Sequence, residues 1–324
     1  MKIRHIMAAS LMLTGFGAHA ATSAPWPAQT VNIVVPYTAG GGTDSVARLL
    51  AEKLNERWGQ TVVVSNKDGA SGTIGANYVA HSKPDGYTIM LSATAEVVIS
   101  QHIVSKMPYD PEKDLQPVTL AVKLPFLLAA NPDKPYKTTA ELVQYAKAHP
   151  GEVTYGSSGT GTPQHLAGAL LENLSGAKML HIPYKGVAPS ISALLANQID
   201  IAFIGLPIGF SHMQSGKVRA LAVSGKARSD AVPDVPTVRE TQGLEGFDLT
   251  QWFGIFVPAG TPKEVVRKIQ QDIAWSLQSP DLREKLEKQG AEPSGMPTEE
   301  FEAFVKSERE KFGKIVRAAN IKLQ

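Results

Sequence analysis

Short apolar runs alternate with segments of helical period along most of the chain. The run Val31–Val35 is rich in β-branched residues and ends at a proline, which predicts a buried strand. Beyond a glycine-rich stretch, Val46, Leu50 and Leu54 recur at helical spacing, which predicts a helix. The same pattern predicts strands at 61–64, 87–91, 127–130, 153–155, 182, 199–204 and 218–223, and helices at 73–80, 139–148, 166–174, 189–196, 262–278 and 298–318. This alternation indicates an α/β fold with right-handed crossovers between parallel strands.

Both halves of the chain contain a strand, a loop rich in glycine, serine and threonine, and then a helix. The repeat predicts two lobes, each a mainly parallel sheet flanked by helices. We expect lobe 1 to contain residues 21–122 and 250–324, and lobe 2 to contain residues 123–249. The C-terminal helices would then pack on lobe 1. Ligands of such sheets bind outside the carboxyl ends of the strands, where both loops fall.

Composition narrows the classes of function. Of the 324 residues, 43% are hydrophobic and 19% are charged, which excludes a mainly disordered chain. The chain has no cysteine, which excludes disulfides, thiolate metal sites, thiol nucleophiles and a cysteine-linked lipid anchor. The histidines lack the spacing of metal ligands, so we expect no metal and no cofactor.

The first twenty residues have the layout of a secretory signal peptide. Lys2 and Arg4 supply a positive start, Ile6–Phe16 is a short apolar run, and Ala18-His19-Ala20 is a cleavage pattern. A buried N-terminal helix is the alternative. Cleavage after about Ala20 would leave 30 basic and 30 acidic residues, so charge favours neither nucleic acid nor an anionic membrane as a partner. We therefore expect an exported protein.

Residues 36–44, here called loop 1, have the composition of an anion site. The sequence is Pro-Tyr-Thr-Ala-Gly-Gly-Gly-Thr-Asp. Three successive glycines have no Cβ, so backbone N–H groups can approach a ligand closely. We expect Thr43 or Asp44 to cap the following helix, whose N-terminus favours a carboxylate or a phosphate.

Residues 156–163, here called loop 2, combine glycines with hydroxyl side chains. Thr162 followed by Pro163 predicts an N-cap with proline at the first helical position. The alternative is that the glycines of both loops only make tight strand–helix turns. Neither loop completes a P-loop, a dinucleotide fingerprint or a nucleophile elbow. Two such loops at corresponding positions favour a shared ligand.

The chain also contains an ordered series of longer motifs: PYTAGGGTDSVAR, NKDGASGTIGA, PDGYTIM, YGSSGTGTPQHLAG, HIPYKG, GKVRALAVSGKAR, PDVPT and WFGIFVPAGTPKE. From about Trp26 to the C-terminus, this series resembles the tripartite tricarboxylate transporter substrate-binding family, also called Bug receptors. The resemblance implies a two-lobed periplasmic-binding-protein fold of type II that closes like a Venus flytrap. It also implies carboxylate ligands held largely by backbone amides.

By position in these motifs, the resemblance implies ligand-binding residues in both lobes. In lobe 1 these are Tyr37, Thr38, Gly40, Gly41, Gly42 and Thr43, with Asp44 as a further candidate. In lobe 2 they are Ser157, Ser158, Gly159, Thr160, Thr162 and His165, with Tyr184 and Lys185 as further candidates. Tyr37 stands where the family often has phenylalanine, which adds a hydroxyl near the pocket. The alternatives are an ordinary helix-start residue for His165 and a solvated surface lysine for Lys185, and Trp252 is expected to pack in the core or hinge.

The expected function is that of a monomeric periplasmic receptor. It would capture a small organic carboxylate between the lobes and deliver it to a transporter with one large and one small integral-membrane subunit. A receptor that signals to a membrane sensor kinase is the alternative. A serine hydrolase is a third hypothesis, with Ser157 or Ser158, His165 or His181, and Asp200 as a triad. Because no nucleophile elbow supports that triad, we do not expect an enzyme.

Overall fold

The computed structural model describes residues 26–322. The signal peptide expected over residues 1–20 lies outside the described residues. Within residues 26–322, no helix combines the length and the apolar character that crossing a membrane requires.

The strands form a six-stranded and a five-stranded sheet. They are β1 (Val31–Val35), β2 (Val62–Asn66), β3 (Thr88–Ala93), β4 (Leu115–Leu124), β5 (Phe126–Ala130), β6 (Thr154–Ser157), β7 (Leu180–Pro183), β8 (Ile201–Gly205), β9 (Arg219–Val223), β10 (Gln251–Pro258) and β11 (Glu292–Pro293). The first sheet has the order β11-β4-β10-β3-β1-β2, and the second has the order β7-β6-β8-β5-β9.

Helices connect and flank these strands. They are α1 (Gly42–Trp58), α2 (Thr73–Ala80), α3 (Ser100–Ile103), α4 (Thr139–Ala148), α5 (Pro163–Ser175), α6 (Val187–Leu195), α7 (Leu206–Gln214), α8 (Lys263–Gln278), α9 (Pro280–Lys288) and α10 (Thr298–Ala318). A π-helix (Ala95–Ile99) precedes α3, and short 3₁₀ turns lie at Ala70–Gly72 and Val238–Glu240.

The α/β class is confirmed, and several predicted helices have the predicted bounds. α2, α4 and α10 span residues 73–80, 139–148 and 298–318 as expected. The apolar and polar pattern does not predict β4 or β10, because Pro117 and Lys123 interrupt the first and Gly254 the second. It also misses α7 and α9, which are nine residues each and begin near a proline.

Both sheets are mixed, so the expectation of mainly parallel sheets is wrong. β1 is parallel to β2 and β3, and β6 is parallel to β7 and β8. The remaining pairs, which involve β4, β5, β9, β10 and β11, are antiparallel. The physical reason is the connectivity. The chain leaves the first sheet at the end of β4 and enters the second at the start of β5, and it returns from the end of β9 to the start of β10. A strand that enters a sheet at a crossing starts at the edge where its parallel neighbours end, so it runs antiparallel to them.

The chain changes sheets at two points. Pro125 alone separates β4 in the first sheet from β5 in the second, and the return falls between Val223 and Gln251. The proposed lobe limits at residues 122 and 250 stay a prediction. One apolar cluster extends from Phe301 and Phe312 of α10 to Leu166 of α5, so the C-terminal helix contacts elements that flank both sheets.

Candidate ligand-binding site

Both glycine-rich loops follow strands that end at the edges where the chain changes sheets. In the first sheet, β1 is parallel to β3, and the end of β3 pairs with the start of β10 through Ala93 and Phe253. In the second sheet, β6 is parallel to β8, and the end of β8 pairs with the start of β5 through Gly205 and Phe126. Loop 1 after β1 and loop 2 after β6 therefore lie on the edges that the two crossings join.

The N-terminus of α1 lies in loop 1 and has no side-chain cap. α1 starts at Gly42 with Gly41 as its N-cap, and no side chain caps it. The expected cap by Thr43 or Asp44 is therefore wrong, because the helix starts one residue before Thr43. The first N–H groups of a helix have no intrahelical acceptor, so those of the N-cap and first turn are available to an anion.

Asp44 is the third residue of α1, and its carboxylate is occupied inside the protein. It accepts the N–H of Gly40 at 2.9 Å, two hydrogen bonds from Arg48 at 2.9 and 3.0 Å, and one from the amide of Asn66 at 2.9 Å. The hydrogen bond from Arg48 is the main cause that lowers the pKa of Asp44 to about 2. Asp44 thus holds loop 1 from its buried side, while Thr38 to Gly42 are exposed to solvent.

The hydroxyl of Tyr37 is hydrogen-bonded to Glu96, a residue that the sequence pattern did not indicate. It donates to Oε2 of Glu96 at 2.7 Å, and Oε1 of Glu96 accepts the N–H of Ala93 at 2.7 Å and the hydroxyl of Ser92 at 3.0 Å. Glu96 is fully buried, and this burial raises the pKa of its carboxyl to about 7, against the effect of the hydrogen bonds. The signal in the sequence was a single glutamate inside the apolar segment Ala93–Ile99.

A strained backbone segment lies beside Tyr37 and Glu96. Gly69, Ala70, Ser71 and Gly72 have successive φ values of 123°, 46°, 54° and 88°. Alanine and serine rarely adopt such angles, and strain of this kind concentrates at functional sites. A Cβ on Gly72 would lie 3.1 Å from the carboxylate of Glu96 and 3.2 Å from the Tyr37 hydroxyl. This segment belongs to the motif NKDGASGTIGA, and its closeness to loop 1 required the tertiary structure.

In loop 2, the predicted helix start is confirmed. Thr162 is the extended N-cap of α5, and Pro163 is the first helical residue. Hydrogen bonds within the loop hold its side chains: the hydroxyl of Thr162 donates to the carbonyl of Gly159 at 2.7 Å, and that of Ser158 donates to Oε1 of Gln164 at 3.1 Å. Ser157 accepts the N–H of Gly159 at 3.1 Å.

Two stacked imidazoles support loop 2. The rings of His165 and His181 are parallel within 5°, with centroids 3.7 Å apart. Nδ1 of His165 accepts the N–H of Gly161 at 3.0 Å, and Nε2 of His181 lies 2.6 Å from the hydroxyl oxygen of Ser157. Burial lowers the pKa of His181 to about 4, and burial together with the neighbouring His181 lowers the pKa of His165 to about 4. Both rings are therefore neutral at pH 7.

The remaining candidates differ in their environment. Tyr184 lies next to loop 2, since its N–H donates to the carbonyl of Ser157 at 3.0 Å. The side chains of Thr160 and Lys185 are exposed. Trp252 is completely buried in β10, packs edge-on against Phe301, and donates from Nε1 to Glu308 at 3.0 Å. The prediction of a packing role for Trp252 is confirmed.

The geometry does not assemble the hypothetical hydrolase triad. Ser157 and His181 share a hydrogen bond, but the carboxylate of Asp200 is held elsewhere. It accepts the N–H and the hydroxyl of Thr154, both at 2.6 Å, and pairs with Lys134 at 2.5 Å. Among residues 26–322, no group of three or more histidine, aspartate or glutamate side chains could hold a metal ion.

A crevice of about 810 Å³ lies at the two crossings, where Pro125 and Thr250 line it, on the side of the sheets that carries β11 and β9. None of the predicted ligand-binding residues lines it. Its walls mix basic side chains such as Lys123 and Lys311 with acidic ones such as Asp230 and Glu292. This balance of charge gives no preference for an anion.

Comparison with known proteins identifies the family. Residues 46–321 match the model of the tripartite tricarboxylate transporter family receptor. The chain belongs to this family. The resemblance found in the sequence motifs is thereby confirmed, and similar solved structures include the periplasmic binding protein BugD and a TctC solute binding protein from Polaromonas.

Individual members of the family show how close the similarity is. BugT of Bordetella pertussis is 34% identical over 300 residues, which cover 92% of this chain and 92% of BugT. The structure of R. palustris Rpa4515 with adipate is 34% identical, with a TM-score of 0.81 over 92% of this chain and 99% of that one. MatC (Rpa3494) from Rhodopseudomonas palustris with bound malate is 32% identical, with a TM-score of 0.76 over 90% of this chain and 100% of that one.

Proposed function

We propose that this receptor captures a small organic carboxylate between loop 1 and loop 2. The observation that carries the proposal is that both loops present glycine-rich backbone and a helix N-terminus at the edges joined by the crossings. Free N–H groups at a helix start, together with the helix dipole, favour a carboxylate. The carboxylates bound by two similar receptors, adipate and malate, support the same ligand class.

In the proposed mechanism, an open form exposes both loops and a bound carboxylate favours the closed form. The ligand shifts this equilibrium only by its greater affinity for the closed state. The receptor would act as a monomer in the periplasm after removal of residues 1–20, and would deliver its ligand to a membrane transporter with one large and one small subunit. Family membership supports the transporter as partner, since the family is named for it.

Calorimetry with mono-, di- and tricarboxylates and aromatic acids tests the ligand class. We expect at least one to bind with a Kd in the micromolar range, which corresponds to about −8 kcal/mol. Failure of every carboxylate to bind more tightly than millimolar would contradict the proposal.

Gly41→Val tests the role of loop 1. Gly41 has extended backbone angles that valine adopts freely, and the nearest atom to an added Cβ is 3.5 Å away, so the variant should fold normally. The new side chain would cover the N–H groups at the start of α1, and we expect a loss of affinity of roughly tenfold or more. Gly246→Val is the matched control, because its Cβ also meets its nearest neighbour at 3.5 Å, far along the chain from either loop. Equal affinity in the two variants would remove loop 1 from the site.

A further inference from the structure

Loops 1 and 2 share a local geometry beyond their glycine content. In each, a glycine with left-handed angles precedes the N-cap: φ is 81° at Gly40 and 78° at Gly161. In each, the N-cap is extended, with φ of −79° at Gly41 and −76° at Thr162. A side chain can stabilise such a turn by accepting the glycine N–H, which otherwise has no partner inside the helix.

The third helical residue supplies that acceptor in both loops. Asp44 accepts the N–H of Gly40 at 2.9 Å, and Nδ1 of His165 accepts the N–H of Gly161 at 3.0 Å. The two interactions occupy the same place in the two turns, but one acceptor is a carboxylate and the other is an imidazole. In loop 1, the N–H groups of Gly41 and the first turn of α1 have no intrahelical acceptor and stay available to a ligand. In loop 2, the N–H of Thr162 donates to the carbonyl of Gly159 at 3.4 Å and Pro163 has no N–H, so the N–H groups without an intrahelical acceptor are those of Gln164 and His165.

His181 supports the second of these turns. Its ring stacks on His165, and it shares a hydrogen bond of 2.6 Å with Ser157. Ser157 in turn accepts the N–H of Gly159 at 3.1 Å and donates to the carbonyl of the same residue at 3.0 Å. The two histidines together thus reach Gly159 and Gly161, two of the three glycines of loop 2.

We infer that His165 and His181 are positioning residues that hold loop 2 in its ligand-binding conformation, as Asp44 holds loop 1. The inference rests on the proposed function, and it gives the imidazole of His165 a role that needs no contact with the ligand. Because Nδ1 must be unprotonated to accept the N–H of Gly161, protonation of His165 breaks this bond and places a cation against the stacked ring of His181.

The two loops should therefore respond differently to acid. The carboxylate of Asp44, whose pKa is held near 2 chiefly by Arg48, keeps its hydrogen bond throughout the range in which the histidines titrate near pH 4. The other titratable groups around the histidine pair are Tyr155 on β6, Glu172 on α5, and Tyr184 and Lys185 after β7. Glu172 is already engaged, since it accepts the N–H of Met179 at 2.8 Å and the hydroxyl of Tyr155 at 3.4 Å.

Amide NMR of the full chain without ligand tests the turn directly. We expect the resonance of Gly161 to shift as the pH falls from about 6 to about 3, through the pKa of His165, and the resonance of Gly40 to change far less over that range. A Gly161 resonance that does not respond to pH would overturn the inference. Because this readout needs no ligand, it decides the inference even if no carboxylate binds and the proposed function fails.

Binding measurements with adipate and malate as probes test the consequence for affinity. His165→Phe removes the acceptor, and we expect affinity at pH 7.5 to fall roughly two- to tenfold. His165→Asn restores an acceptor near the position of Nδ1 that does not titrate, and should recover most of this loss. On lowering the pH to about 4, where His165 is half protonated, the wild type should lose more affinity than His165→Asn. Protonation of the ligand itself affects both proteins equally, so the difference reports on His165.

The matched control is His81→Asn, which removes an exposed histidine at the end of α2. It should bind as the wild type does at both pH values. Wild-type affinity in His165→Phe, or an equal pH dependence in wild type and His165→Asn, would show that His165 does not position loop 2.

Discussion

Glu96 illustrates what a single residue contributes to this receptor. Its carboxylate lies fully buried beside loop 1 and accepts hydrogen bonds from Tyr37, Ser92 and Ala93. Burial disfavours the charged form and raises the pKa to about 7, so near neutral pH the group is partly protonated. The tyrosine hydroxyl that the sequence predicted near the pocket is thus engaged by a buried carboxyl group, so loop 1 would bind a ligand through its backbone in the proposed site.

This raised pKa predicts a pH dependence of stability. The folded state binds the proton of Glu96 more tightly than the unfolded chain does, so its stabilising effect is complete below about pH 4.5 and is lost as the pH rises through about 7. Between pH 5 and pH 8, the free energy of unfolding of the wild type should fall by roughly 2–3 kcal/mol more than that of Glu96→Gln. Chemical denaturation at the two pH values measures this, and equal slopes for both proteins would show that Glu96 does not titrate as proposed.

At the scale of elements, α10 anchors the C-terminal part of the chain to the first sheet. Phe301 is fully buried and packs against Trp252 at 5.9 Å and Phe256 at 5.4 Å between ring centroids. It also lies directly over Gly254, whose added Cβ would approach its ring to 2.4 Å. A helix that covers a sheet this closely depends on a few large side chains, so truncating one of them leaves a cavity.

Phe301→Ala should therefore lower the free energy of unfolding by about 3–5 kcal/mol. Phe304→Ala is the matched control on the same helix: Phe304 is only half-buried and should cost clearly less, because less area returns to water. Urea denaturation of both variants gives the comparison. Similar losses would mean that α10 is not held to the sheet through Phe301.

At the scale of the whole molecule, the chain crosses between the sheets twice within residues 26–322, and α10 contacts α5. In the proposed mechanism, a ligand that touches both loops would draw the two edges together, with the crossing strands as a hinge. Closure would then depend on the connectivity rather than on either loop alone.

Solution X-ray scattering tests closure. Saturating adipate, or another carboxylate found by calorimetry, should reduce the radius of gyration of the wild type. Gly41→Val at the same ligand concentration should show a smaller change, because fewer of its molecules carry ligand. A wild-type radius that is the same with and without bound ligand would exclude closure as the mechanism.

The sequence by itself determined the local features of the receptor. The Thr-Pro pair at residues 162 and 163 fixed the start of α5, and β-branched runs such as Val31–Val35 gave strands. These features depend on neighbours within a few residues, so pattern and capping chemistry suffice to predict them. The motif series also identified the family.

Only the tertiary structure decided which distant groups meet. Glu96 reaches Tyr37, 59 residues away, and His181 reaches Ser157, 24 residues away, through pairings that no local pattern encodes. The antiparallel direction of β4, β5, β9 and β10 likewise follows from how the chain passes between sheets. Apolar pattern and loop composition are properties of short segments, whereas pKa, hydrogen-bond partners and strand direction arise when separate segments pack together.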